Sequence, residues 1–199
     1  MGTYPSRRGW LRHWERGFPL GLLLAGLLVG CGPRQAPRHP NAGLSLLTDD
    51  VLAAAGGSRQ LAALGVALTT PTEDLRTYVD HEVDNSVMLL DVALADDPGS
   101  YESPTGKVFR ARGNMRGLIP RRDISELPDG LDEIWEGFVI DLRENQPYYI
   151  LYAGTPDASL ETKLVTVTGI YIGVREYVSQ TDVKRQAPVL VTRDLRRVR

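Results

Sequence analysis

Cysteine is almost missing from this chain, with one in 199 residues. No intrachain disulfide can brace the fold, so its stability has to come from an apolar core. Histidine is scarce too, with three in all, and neither H-E-x-x-H nor C-x-x-C occurs. The common zinc-binding arrangements are therefore excluded. No G-x-S-x-G marks a serine nucleophile. "GSYESPTGKV" ends like a phosphate loop, but its spacing is wrong and Val108 stands where Ser or Thr is required. The leucine-rich stretch from Gly17 to Gly30 has fourteen residues, short of the roughly 20 that span a bilayer as a helix. No other stretch comes closer.

The single cysteine stands directly behind that stretch. Ahead of it, Arg7, Arg8, Arg12 and Arg16 face one acid, Glu15. A basic segment, a short apolar segment and small residues before a cut form an export signal rather than a membrane anchor. Leu28, Val29, Gly30 and Cys31 resemble the lipobox of bacterial lipoproteins. The resemblance implies that the Cys31 thiol takes a diacylglyceryl group, that the Gly30–Cys31 bond is cut, and that the new amino terminus is acylated. The expected partner is then a membrane, held through Cys31 by more than one acyl chain. Gly32 follows in place of the Asp that holds such proteins on an inner membrane, which points to the outer membrane where a cell has one. "SRRGWLR", Ser6 to Arg12, is similar to the twin-arginine export motif, with Trp10 for Phe and Arg12 for Lys. That route carries folded cargo.

Four segments follow from composition. Residues 1–30 form the expected signal and 31–43 a tether punctuated by Pro33, Pro37 and Pro40. From Leu44 to Pro104 there are eleven acids against Arg59 and Arg76, a net of −9. From Thr105 to Arg199 fifteen bases meet thirteen acids, a net of +2. The split suggests two parts with different surfaces.

The acidic part, 44–104, reads as helical. One short helix is expected after Thr48, stopping at Gly56 and Gly57, and another after Ser58. In "TPTE", Thr70 reads as an N-cap, Pro71 as the first helical residue and Glu73 as the closing member of a capping box. Leu75, Val79, Val83, Val87, Leu90 and Leu94 recur three and four apart behind it, as one apolar helix face. Pro98 and Gly99 end the pattern.

From Gly106 the period changes to two. Phe109, Ala111, Gly113, Met115, Gly117 and Ile119 alternate with Arg110, Arg112, Asn114 and Arg116, a strand with one face buried and one wet. Gly113, Gly117, Gly169 and Gly173 interrupt strand-like runs, as bulges or close contacts require. "IWEGFVIDL", "YYILYAG", "LVTVTGIYIGVREY" and "APVLVTRDL" supply four more strands. The order G-K-V-x-R-x-R-G, a hairpin, V-x-V-T-G-x-Y and A-P-V-L-V resembles the five-stranded OB-like barrel of uncharacterised secreted or membrane proteins, especially of planctomycete-type bacteria. The expected fold is α+β: a short helical region, then a small five-stranded antiparallel OB-like barrel over 105–199. "TPDASLET" is too short for the helix such barrels usually carry between strands three and four.

Catalytic chemistry finds little support. His13 lies in the signal and His39 in the tether. His81 has Asp80 and Asp84 beside it, but no second histidine to complete a metal site. The acids of "ELPDGLDE" sit among Pro128 and Gly130 and read as a solvated loop. No catalytic residue, metal or cofactor is expected. Binding has better candidates in Arg110, Arg112, Arg116 and Arg175, in Lys184 and Arg185 as loop bases, and in Tyr148, Tyr149, Tyr152 and Tyr171 as stacking platforms. The expected role is a lipid-anchored envelope protein whose barrel binds a partner protein or an anionic polymer. The compartment argues against nucleic acid, and an enzyme acting on wall polymers is the alternative.

Overall fold

A computed structural model describes residues 39–79, 103–121, 127–142, 145–179 and 181–199. The expected signal, Gly30, Cys31 and most of the tether lie outside these residues, as do His81 and its flanking acids.

Three short helices open the described part. In α1, Asp49–Ala54, the Thr48 hydroxyl accepts from the Val51 N–H at 3.5 Å, and Asp49 and Asp50 sit in the first turn, where negative charge favours the helix dipole. The helix stops where Gly56 and Gly57 take positive φ, and Gly57 N–H returns to Leu52 O at 2.8 Å. Ser58 caps α2, Arg59–Thr69, and the helix buries Ala62, Ala63, Leu64 and Ala67.

The third helix departs from expectation. Thr70 is the C-cap of α2, donating to Val66 O at 2.9 Å, and it caps nothing ahead of it. Pro71 disfavours helical geometry in the residue before it, so Thr70 is extended and Pro71 itself stands at the N-cap of α3, Thr72–Thr77. The helix ends there. Val79 does not continue the apolar face but bridges Val108 in parallel, 3 % exposed. Burial of Val79 against the sheet overrides the helical period. Val83 to Leu94 lie outside the described residues.

Five strands follow: β1 (Val108–Arg121), β2 (Ile134–Asp141), β3 (Pro147–Tyr152), β4 (Leu164–Val178) and β5 (Lys184–Arg197). They close a barrel in the order β1-β2-β3-β5-β4. Four seams are antiparallel, but β3 and β5 run parallel from Tyr149↔Val189 to Tyr152↔Thr192. The expected antiparallel barrel is thus corrected to a mixed one. The reason is arithmetic: strands that alternate direction around a ring need an even number, and five is odd. Between β3 and β4 the chain makes one 3-10 turn, Ala158–Leu160, and the barrel closes without a helix there.

Two apolar cores result. Phe109, Ala111, Met115, Val139, Tyr148, Ile150, Val167, Tyr171 and Leu190 fill the barrel. Leu64 and Leu75 from the helices meet Val108, Ile134, Tyr149, Leu151, Ile170 and Val191 on its outside. Strand β3 feeds both, which is why "PYYILY" reads as a continuous apolar run.

Strand β1 bends sharply. At Gly113 a Cβ would stand 2.1 Å from Ile140 O, so only glycine lets β1 and β2 approach this closely. Gly117, at φ 62°, sits in a bulge between Arg116 and Ile119. Past it the alternation fails, and Gly117 and Ile119 are exposed rather than inward. The Glu161 carboxylate pins the bulge, accepting from Gly117 N–H at 2.9 Å and Leu118 N–H at 3.1 Å. On β4, Gly169 and Gly173 mark the two register shifts against β5.

Candidate functional site

The outer face of β2 and β3 carries the one mixed aromatic and charged cluster among the described residues. Alternation places Glu136 and Phe138 on the same side of β2 as the buried Ile134. Phe138 pairs directly with Tyr149 on β3, their rings 5.3 Å apart and edge-on at 69°. Tyr177 adds a third ring, 5.1 Å from Phe138. From β4, the Arg175 guanidinium carbon lies 4.3 Å above the centre of the Tyr149 ring.

A carboxylate ties the group together. Glu136 Oε2 accepts from the Tyr149 hydroxyl, and it lies 3.4 Å from Arg175 Nη1 and 3.6 Å from Arg121 Nε. Arg175 also donates to the Tyr149 hydroxyl oxygen. Tyr149 is 4 % exposed. Burial first, and then the hydrogen bond to Glu136, push its phenol well above the ordinary tyrosine range, against the opposing pull of Arg175 and Arg121. The phenol therefore keeps its proton and acts as a donor, not as a nucleophilic phenolate. The Arg175 side chain is 43 % exposed, so the group over Tyr149 remains open to solvent. Chemically this is a braced cationic platform.

The expected site residues divide into separate groups. Arg112 and Arg116 are exposed and Arg110 half-buried on the outer side of β1. Arg112 lies opposite Thr166 on β4, nine residues from Arg175, or about 30 Å at strand rise. Arg175 therefore does not join the β1 arginines. Tyr148 and Tyr171 are core residues of the barrel, Tyr171 standing edge-on to Phe109 at 6.0 Å, and Tyr152 is half-buried. Tyr148 and Tyr171, each 2 % exposed, offer no free stacking surface, which corrects their role as platforms; inward alternation on a closed barrel put them there. Lys184 and Arg185 begin β5 rather than lying in a loop. With Gln146, Glu176, Tyr177 and Gln186 they line a polar hollow of about 370 Å³.

Sequence reasoning missed Glu136, Phe138, Tyr177 and Arg121. One signal was available: Glu136 is an acid on the apolar side of "IWEGFVIDL", where a buried partner is required. A larger hollow of about 640 Å³ lies between α1, α2 and Pro128, lined by Val51, Ala55, Leu61 and Val66 among others. Its lining carries no titratable group. Among the described residues no helix is long and apolar enough to cross a membrane, and no group of three His, Cys, Asp or Glu could hold a metal ion. No protein-family model matches the chain, and no curated protein is similar to it.

Proposed function

We propose that this chain is a lipid-anchored envelope protein whose barrel is a non-catalytic binding module of the OB type. The observation that carries the binding reading is the Arg175 guanidinium carbon 4.3 Å over the centre of the Tyr149 ring on the β2–β3 face. OB barrels bind extended ligands on that face and on the flanking loops. The strand order β1-β2-β3-β5-β4 with a single parallel seam supports the OB-like assignment. A partly exposed guanidinium held over an aromatic ring suits a partner bearing carboxylate or phosphate groups along an extended backbone. Wall-polymer cleavage has less support, because no second acid is seen paired with Glu136 among the described residues, and glycoside hydrolysis needs two carboxyl groups.

The anchor rests on Leu28-Val29-Gly30-Cys31 behind a short apolar run. Cys31→Ser should give an unprocessed or soluble protein that takes up no labelled fatty acid. Normal membrane fractionation with acyl labelling would overturn the anchor. Arg7→Lys with Arg8→Lys keeps the charge and should stop export along a twin-arginine route, whereas unchanged export would mean the general route. For the barrel, Arg175→Gln should weaken binding to a partner recovered by crosslinking on intact cells, with folding unchanged.

A further inference from the structure

Arg110 Nε is buried with no hydrogen-bond partner, and the buried Thr168 hydroxyl beside it has the Asp194 carboxylate for its neighbour. Arg110 and Thr168 face one another across the β1–β4 seam. Thr168, fully buried, in turn faces Asp194 on β5. Two residues along, the next cross-strand line reads Arg112, Thr166, Arg196. Folding has thus gathered three arginines from two strands around a pair of threonines, away from the Arg175 cluster.

We infer that Arg110, Arg112 and Arg196, with Thr166 between the last two, form an oxyanion site that takes a phosphate group on the outer face of β1, β4 and β5. The inference deepens the binding reading above by naming a ligand chemistry, on a different face of the barrel. Its geometry comes from the sheet. Arg112 and Arg196 flank Thr166 on adjacent strands, which places their backbones about 10 Å apart, so long side chains can bracket one tetrahedral anion from both sides. A lone carboxylate is satisfied by a single guanidinium fork, whereas phosphate has oxygens for several.

The site is also braced from beneath. Asp194, 3 % exposed, accepts from Arg76 at 2.8 and 2.9 Å. Its other side holds Arg196 Nε at 2.9 Å. The Arg196 guanidinium is therefore fixed in orientation while its side chain stays 52 % exposed. One carboxylate serves two arginines here, and the described residues supply no ion pair for Arg110 or Arg112. Positive charge is left over. Helices α2 and α3 cover this side of the sheet around Ile170 and Val191, while Arg112 and Arg196 remain exposed to solvent.

The test uses the full chain with inorganic polyphosphate, and in a second arm with vesicles of phosphatidylglycerol or phosphatidylcholine. Binding to polyphosphate, to phosphatidylglycerol vesicles or to both should be salt-dependent. Arg112→Gln and Arg196→Gln should each weaken it about tenfold. Arg116→Gln, off the site, should leave it within about twofold. Polyphosphate alone identifies a soluble polymer as the source, and phosphatidylglycerol alone identifies a lipid headgroup. No binding in either arm overturns the site, as does equal loss in Arg116→Gln. Arg112 is exposed, so its variant keeps the test valid if Arg196→Gln disturbs Asp194. Loss of binding in Arg175→Gln but not in Arg112→Gln or Arg196→Gln would put the anion on the β2–β3 face and overturn this site, so failure of one face is separable from failure of the other.

Discussion

Asp194 is the most constrained charge in the described structure. Burial raises its pKa, but the Arg76 hydrogen bonds and the charges of Arg196 and Arg76 outweigh that and hold it below the ordinary carboxylate value. A carboxyl lowered in the folded state stabilises above its unfolded pKa, and the benefit disappears as pH falls through the folded one. Arg76→Met should therefore cost about 1–3 kcal/mol at neutral pH, discounted because Arg196 remains. Urea unfolding should show the gap between parent and variant narrowing as pH falls below the ordinary carboxylate range and Asp194 takes up a proton. A gap independent of pH would mean that Arg76 contributes packing alone. At the other end of the scale, burial pushes Tyr171 up to about 12, and Tyr149 is raised as well. Unfolded tyrosine ionises near 10. The folded state thus holds protons that the unfolded one has released, and stability should fall as pH climbs from about 10 to 12. Absorbance at 295 nm should show the two phenols titrating after the exposed tyrosines.

Among the elements, β1 and α2 make opposite predictions for the same substitution. A Cβ at Gly113 would strike Ile140 O at 2.1 Å, backbone that cannot yield without parting the β1–β2 seam. Gly113→Ala should cost about 1–3 kcal/mol, as overpacking does. Nothing lies within 4 Å of a Cβ at Gly65, inside α2, so Gly65→Ala should add about 0.4–1 kcal/mol. Thermal melts of both variants check the pair. This contrast also shows what could be read from the chain. Glycines breaking a two-residue period announced curvature in β1 and β4, and Thr48 and Ser58 announced helix starts, because both signals are local. The helix after Thr70 was misread because Val79 is claimed by Val108, a contact 29 positions away in the chain. Glu136, Tyr149 and Arg175 come from three strands, and no spacing rule joins them. Register decided, too, that Arg175 and Arg112 belong to different faces.

The described residues are held by two cores, and each of the five strands feeds both. Leu64 on α2 is fully buried in the outer one, and its truncation to Ala should cost about 2–5 kcal/mol. Because Tyr149 and Leu151 in that core alternate with Tyr148 and Ile150 in the other, helix and barrel signals should still melt together in this variant. Separate transitions would mean that the helical layer is dispensable to the barrel. The parallel seam has a kinetic consequence. β1, β2 and β3 can form as a meander and β4 with β5 as a hairpin, each from neighbours in sequence. The seam from Tyr149↔Val189 to Tyr152↔Thr192 joins residues 40 apart, and the β1–β4 seam joins residues 50 or more apart. Neither can form alone without leaving the ring open, so both loop closures fall in one late step. Ring closure should thus set the refolding rate. Ile150→Val, on the seam, should slow refolding, whereas changes at the β4–β5 tip should mainly speed unfolding.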